Sequence, residues 1–313
     1  MTTRLTPVPA LSALADAGTT AALSPVPTKS VVFPTPGEVI TSTRTNNTYT
    51  MGDRIGGGNF SDVFACHDVW RNDLAAKVLK PLGTYEHVRD KAIAEVEKLT
   101  QLRNPYVTFV FDAFEYRDTF YIITERCYCP ISELFKLPGF DGKLWIPAIS
   151  RCLLQAVHYL HINNFVHQDI HIGNVFAAIV RDEMQPTDSM KTATQFKLAD
   201  FGIAKLSHEV SAKDTRALWM LPPEVLDEAQ FGPIDSRVDI YHTGLLFLQL
   251  ALSNEVTFTK DEILEGKPRE TACSLPAPLN FALEKALRRR VQYRTATALE
   301  LWRDLNSIPK LAP

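Results

Sequence analysis

The 313-residue chain is predicted to be an α+β protein in two unequal parts, a small antiparallel sheet with one helix followed by a larger, mainly helical body. Two patterns predict this. Short runs of β-branched and aromatic residues, separated by Gly-rich or polar turns, fill the stretch from Tyr49 to Thr124. Longer runs with apolar residues at helical spacing fill most of the chain beyond Cys127. Composition adds a third observation: 45% hydrophobic and 22% charged residues allow a sizeable core and argue against wholesale disorder.

Residues 1–48 hold six prolines, many Ser, Thr and Ala, and few charges, and read as a flexible leader. It lacks the basic start, continuous apolar stretch and small-residue cleavage site of a secretory signal. A plain tail and a segment that docks a partner are both open readings, and Val31-Val32-Phe33 is placed to tuck onto the folded body. Strands are expected at Tyr49–Ile55, Asp62–His67 and Leu74–Leu79. Within 85–103, Val88, Ala92, Val96, Leu99 and Leu102 recur at intervals of three and four, the stripe of an amphipathic helix. Two more strands are expected at Phe109–Glu115 and Phe120–Thr124, then helices at Trp145–Asn163, Val238–Leu252, Leu279–Arg289 and Ala296–Leu305.

Several function classes are excluded early. With 33 Lys+Arg against 36 Asp+Glu the formal charge is -3, so there is no global attraction to nucleic acid or to a membrane surface. The run Arg288-Arg289-Arg290 is read as the solvated face of a helix. Five cysteines without a CxxC pair indicate neither a disulfide framework nor a zinc site, and a reducing, cytoplasmic setting is expected. The longest nearly apolar run, Gly244 to Leu252, falls far short of the roughly 20 residues of a membrane helix, so no membrane insertion is expected.

Chemistry concentrates in four places. In Ile55-Gly56-Gly57-Gly58-Asn59-Phe60-Ser61, between two expected strands, glycines would let backbone N–H groups approach phosphate oxygens, although a Gly-rich hairpin turn explains the same residues. Lys77, on a half-buried strand, needs an anionic partner; Glu95 on the following helix is the candidate, with Glu97 its rival and Lys80 a weaker alternative to Lys77. His167-Gln168-Asp169-Ile170-His171-Ile172-Gly173-Asn174 puts a carboxylate and a carboxamide five residues apart on a loop. Asp200-Phe201-Gly202 ends a later strand with a second carboxylate. Asn174 and Asp200 are oxygen donors suited to Mg²⁺ beside a polyphosphate, which leaves Asp169 to orient and deprotonate a hydroxyl.

From Tyr49 to about Pro309 the chain resembles a protein kinase, because the family's signatures occur in order: Gly56/Gly58, Lys77, Glu95, the loop from His167 to Asn174, Asp200-Phe201-Gly202 and Pro222-Pro223-Glu224. Glu95 is preferred to Glu97 because it stands ten residues before Pro105 of Asn104-Pro105-Tyr106-Val107, the family's usual distance. The resemblance implies a bilobal fold, with a sheet lobe 49–124, a hinge 125–129 and a helical lobe 130–313. It implies ATP and Mg²⁺ as cofactors, a protein substrate, and phosphoryl transfer to Ser or Thr. It also implies that Val63 and Ala75 cover the adenine and Phe176 underlies it, that Thr124 guards the pocket behind it, and that backbone groups near Glu125 and Cys127 bond its edge. Asp239 is expected to brace the catalytic loop, and Arg294 to pair with Glu224.

Three departures stand out. Gln168 replaces the arginine that grips a phosphorylated activation loop in many relatives, so Ser207, Ser211 and Thr215 are read as ordinary loop residues. His171 stands where Ser/Thr enzymes carry a lysine, and the resulting HxDxHxGN pattern also suits aminoglycoside- and choline-type small-molecule kinases. The polar segment Arg181–Gln195 reads as a surface insertion. A pseudokinase acting as a nucleotide-binding scaffold is the alternative from another class. The intact set Lys77, Glu95, Asp169, Asn174 and Asp200 weighs against it.

Overall fold

The computed structural model describes residues 32–58, 61–80, 90, 93, 96, 102–181, 192–201, 204–206, 209–210 and 220–306. The smaller lobe is a six-stranded antiparallel sheet, ordered β1-β2-β3-β4-β6-β5. Its strands are β1 (Val39–Thr41), β2 (Thr48–Gly57), β3 (Ser61–Asp68), β4 (Asp73–Leu79), β5 (Val110–Tyr116) and β6 (Thr119–Glu125). Period-two alternation sorts β4: Leu74, Ala76 and Val78 enter one apolar cluster with Phe64, Cys66, Phe114, Tyr121 and Ile123. Ala75 and Lys77 therefore point to the opposite face, with Val63 paired to Lys77 and Thr124 to Ala75 across the ladder. Tyr49, Phe114 and Tyr121 stack in the cluster at centroid separations of 5.9 and 5.5 Å.

The expected leader ends earlier than residue 48. β1 pairs with β2, Ile40 is buried, and Phe33 packs 6.0 Å from Phe64, while Val32 stays exposed. Val31 and everything before it lie outside the described residues, as do Val88, Ala92 and Leu99 of the expected amphipathic helix. Asp90, Ile93 and Val96 are helical, whereas Leu102 and Arg103 are not, so the helix stops short of the expected end.

The larger lobe is built on two helices, α2 (Ile146–Ile162) and α5 (Arg237–Leu252). Ile149, Cys152, Leu153, Ala156, Val157 and Leu160 form the buried stripe of α2, and α5 is buried on nearly every face, which is why its sequence is apolar without a polar side. The other elements are β7 (Cys129–Pro130), α1 (Ile131–Leu134), β8 (Phe165–Val166), β9 (Val175–Arg181), β10 (Thr192–Leu198), β11 (Lys205–Leu206), α3 (Pro223–Leu226), α4 (Glu228–Phe231), α6 (Lys260–Glu265), α7 (Lys267–Cys273), α8 (Leu279–Ala286) and α9 (Ala298–Leu305).

Two expectations are corrected here. The segment Arg181–Gln195 is not an insertion throughout: Thr192 to Gln195 belong to β10, which pairs residue by residue with β9 from Thr192↔Arg181 to Leu198↔Val175. α8 stops at Ala286, three residues before the expected Arg289, so Arg288 and Arg289 lie beyond the helix. No helix among the described residues is long and apolar enough to cross a membrane.

A seam of backbone hydrogen bonds joins the lobes. Thr108 N–H donates to Leu198 O at 3.0 Å, Leu198 N–H to Tyr106 O at 2.8 Å, and Tyr128 N–H to Ala177 O at 2.7 Å. The sheet face bearing Lys77 is thereby set against the end of β10, two residues before Asp200.

Candidate active site

The loop between β8 and β9 is held from beneath by one carboxylate. Asp239, in the first turn of α5 and fully buried, accepts from His167 N–H at 2.9 Å, from Gln168 N–H at 2.8 Å and from His161 Nε2 at 2.9 Å. Burial alone would raise its pKa. The hydrogen bond and charge of His161 and the bond from His167 outweigh burial and hold it below the ordinary value. An ionised carboxylate only accepts, so His161 carries its proton on Nε2. Asp239 fills its expected position. His161 was not singled out, because its partner lies 78 residues away in the chain.

This anchor supports an unfavourable backbone. Gln168 has φ +69° and Asp200 φ +64°, left-handed conformations that cost a side-chain-bearing residue of order 1–3 kcal/mol each. His167 is buried, which lowers its pKa and keeps the ring neutral. Its Nδ1 accepts from Asp169 N–H at 3.3 Å, so Nε2 is the protonated nitrogen and donates to Ala199 O at 3.1 Å. The ring meets Phe201 edge-on at 4.9 Å, and Phe201 is itself fully buried. One imidazole thus ties the Asp169 loop to the Asp200 turn.

Above the anchor, Asn174 Nδ2 donates to Asp169 O at 3.0 Å and to Asp169 Oδ2 at 3.1 Å. His171 Nε2 lies 3.7 Å from Asp169 Oδ1, while its Nδ1 accepts from Gly173 N–H at 3.0 Å. Burial would raise the Asp169 pKa, but the hydrogen bond and charge of His171, with His167 and His242 nearby, bring it below the usual value. Ala199 N–H donates to Asn174 O at 2.9 Å, which puts the two loop ends side by side. Lys77 Nζ reaches Asp200 Oδ1 at 3.1 Å from the sheet lobe.

The glycine turn joins β2 to β3. Gly58 N–H donates to Ser61 O at 2.8 Å, and Lys80 Nζ donates to Gly58 O at 2.7 Å and pairs with Asp62 at 3.1 Å. Arg54 also holds Asp62, at 2.9 Å, and a Cβ on Gly57 would collide with that carboxylate. Lys80 therefore serves the turn, and Lys77 is the lysine that faces Asp200. Ile55, Gly57 and Gly58 are exposed, Gly56 and Val63 half-exposed, Ser61 buried. At the hinge side, Thr124 Oγ1 donates to Ala75 O at 3.5 Å, and Glu125 turns its carboxylate to Lys197 at 2.8 Å and to Phe109 N–H at 2.7 Å. Burial, with the Glu125 charge, pushes the Cys127 thiol up to about 12, so it is a thiol, not a thiolate. Phe176, on β9, is half-buried. Glu95, its rival Glu97, and Asn59, Phe60, Gly202, Ser207, Ser211 and Thr215 lie outside the described residues.

The donor set suits a hard cation: with Nδ2 turned to Asp169, Asn174 keeps its amide oxygen available, and the Asp200 side chain is half-exposed beside it. In the larger lobe, Arg294 forks onto buried Glu224, Nη1 at 2.6 Å from Oε1 and Nη2 at 2.7 Å from Oε2. Both side chains are fully buried.

A family model described as the protein kinase domain matches residues 49–296. The chain belongs to the protein kinase family. The chain is 28% identical over 202 residues to serine/threonine-protein kinase TAO3 of Mus musculus, covering 63% of this chain and 21% of that protein. It is 29% identical over 203 residues to TAO3 of Xenopus laevis, with 63% and 21% covered, and 27% identical over 202 residues to TAO1-A of the same organism, with 63% and 19% covered. The chain thus spans about one fifth of the length of these relatives.

Proposed function

We propose that this kinase transfers the γ-phosphoryl group of ATP to the hydroxyl of a Ser or Thr in a protein. The observation that carries the reading is the convergence, from both lobes, of Lys77 and Asp200 at 3.1 Å and of Asn174 and Asp169 at 3.1 Å. Membership of the family implies use of ATP and Mg²⁺ in general. When bound, Mg²⁺ neutralises charge on the phosphates, and Asn174 and Asp200 are the residues that would hold it. Lys77 supplies a positive charge at the phosphates from a strand that cannot shift without its ladder. Asp169 is ionised and accepts from Asn174, which leaves carboxylate oxygen to orient the attacking hydroxyl and take its proton as the new O–P bond forms and the bond from the γ-phosphorus to the bridging oxygen breaks, releasing ADP. The ground for Ser or Thr is the identity of the relatives, each named a serine/threonine-protein kinase.

Incubation with labelled ATP, Mg²⁺ and a generic protein substrate tests this beside Asp169→Asn. Label on Ser or Thr that disappears in the variant is the expected result. Nucleotide binding without any transfer would point to a scaffold, and transfer only to small alcohols to a small-molecule phosphotransferase.

A further inference from the structure

The three consecutive arginines do not form the solvated helix face that their sequence suggests. They follow the end of α8, and with Arg269 of α7 they line a cavity of about 340 Å³ whose remaining walls are Gln230, Phe231 and Tyr293. A cavity of that size falls at the small end of ligand-binding pockets. Three of the guanidiniums are fixed in place. Arg288 forks onto Glu284, Nε at 3.1 Å and Nη2 at 2.9 Å, and donates from Nη1 to Tyr293 O at 3.0 Å. Arg269 Nε donates to Glu284 at 2.7 Å, and Arg289 Nη1 donates to Leu264 O at 2.6 Å while its guanidinium lies 5.9 Å from the Phe231 ring centroid. Arg290 is exposed, and its guanidinium makes no hydrogen bond or ion pair among the described residues.

The charge balance is lopsided. Among the described residues one carboxylate, Glu284, bonds any of these four arginines, taking Arg269 and Arg288, and it lies outside the cavity lining. That leaves an excess of three positive charges (four arginines less one glutamate) on a chain whose formal charge is -3. Arg269 and Arg288 each spend Nε and Nη2 on Glu284, whereas Arg289 and Arg290 keep guanidinium N–H groups unused among the described residues, and such planar donors match the oxygens of a phosphate better than a single carboxylate, which would fill little of the space. Phe231 and Tyr293 add an apolar wall for the residue beside the phosphate. A nucleic acid needs a positive track along its backbone, whereas this excess is confined to one concavity.

We propose that this cavity docks a phosphorylated, acidic peptide segment of a protein substrate. The proposal rests on the protein-kinase reading above. No residue of its lining belongs to the Asp169–Asp200 group, so docking would concentrate the substrate without altering the chemical step.

The test is fluorescence anisotropy of the full chain, without nucleotide, using a labelled peptide bearing two phosphoserines among glutamates, its unphosphorylated counterpart and a single-stranded DNA oligonucleotide. The phosphopeptide is expected to bind at least about tenfold more tightly than the other two, and Arg269→Ala/Arg290→Ala to weaken it about tenfold or more. Arg290→Ala alone, at an exposed side chain, gives the same direction should the double variant lose its fold. In turnover, a substrate carrying the phosphopeptide as a tag is expected to show a raised KM with unchanged kcat in the variants. Equal phosphopeptide binding by wild type and variants overturns the proposal, as does equal binding of the two peptides. Oligonucleotide binding as tight as the phosphopeptide's, lost in the same variants, would instead make the cavity a nucleic-acid site. Because binding is read without ATP, a chain that phosphorylates nothing would sink the kinase reading while the anisotropy still judges the cavity.

Discussion

Gly173 stands where any side chain would strike the His171 ring, since a Cβ built there falls 2.8 Å from Cε1 and 3.0 Å from Nδ1. The same ring accepts the Gly173 N–H and leans its other nitrogen toward Asp169, so the orientation of the carboxylate depends on a glycine two residues beyond the histidine. Gly173→Ala is expected to displace the ring and lower kcat about 10- to 100-fold, the usual effect of misplacing a catalytic group by about 1 Å. His171→Ala combined with Gly173→Ala removes the clash, and it should recover activity to the level of His171→Ala alone. A double variant no better than Gly173→Ala would show that the backbone, not the ring, is what the extra methyl disturbs. At the phosphate end, Lys77→Met and Asp200→Ala are each expected to reduce transfer by about 10³-fold or more with little change in thermal midpoint, because each removes charge from the developing transition state and neither fills the core. Activity near wild type in either variant, read with labelled ATP, would contradict the assignments.

Two elements are pinned by buried charges, and their energetics differ. The strap from Ser42 to Thr48 is fastened to β5 through Asp112, which accepts from Arg44 Nη2 at 2.7 Å, Thr45 Oγ1 at 2.5 Å and Tyr49 Oη at 3.1 Å. Burial would raise the Asp112 pKa, but hydrogen bonds from Thr45, Arg44 and Ser42 prevail and hold it below the usual 3.8. A carboxyl depressed in the folded state binds its proton more readily when unfolded. Its stabilising contribution is therefore complete above about pH 4 and is lost as pH falls through the folded value. Asp112→Ala is expected to cost about 1–3 kcal/mol at pH 7, since it leaves the buried Tyr49 hydroxyl without its acceptor while the exposed Arg44 and Thr45 turn to water, and to flatten the acid limb of stability measured by urea unfolding. An acid limb as steep as in wild type would mean that Asp112 does not titrate with folding. For Glu224 and Arg294, either single truncation should destabilise by about 3–5 kcal/mol, while Glu224→Leu/Arg294→Met should cost less than the two singles summed, because no charge is left without its partner. The sequence revealed the five sheet strands after Tyr49 to within a few residues, because half-buried strands alternate and Gly or polar turns bound them. It did not reveal β1, where three residues bury only Ile40 among prolines and threonines, nor α6 and α7, which bury too few positions to leave a stripe. The site loops were legible because their chemistry demands particular residues at fixed spacing. His161, the arginine cavity and the role of Lys80 were not, since each depends on a contact between distant segments or on where a helix stops.

At the scale of the whole molecule, the question is what holds the proposed catalytic loop, His167 to Asn174, in its shape. In many kinases of the resembled type an arginine before the catalytic aspartate reaches a phosphate on the activation loop, so that the active geometry waits on modification. Here that position is Gln168, a neutral amide that is almost entirely buried, with its backbone N–H on Asp239. The same carboxylate holds His167 N–H and the His161 ring, and the His167 ring spans to Ala199 beside Asp200. The loop is therefore clamped from α2 and α5, both inside the larger lobe, and the seam through Tyr106, Thr108 and Leu198 ties the sheet lobe to the same β10 whose last residue, Leu198, stands two before Asp200. None of these contacts requires a phosphate. Treatment of the purified protein with a broad-specificity phosphatase, verified by intact mass, is accordingly expected to change specific activity by less than about threefold, below the roughly 1.5–3 kcal/mol that one hydrogen bond to a charged group contributes. His161→Ala removes one of the three donors to Asp239, and it should lower kcat more than dephosphorylation does, leaving KM for ATP nearly unchanged. A loss of activity beyond about tenfold on dephosphorylation, a difference of about 1.4 kcal/mol, would mean that a phosphate supplies what the Asp239 clamp is here held to supply.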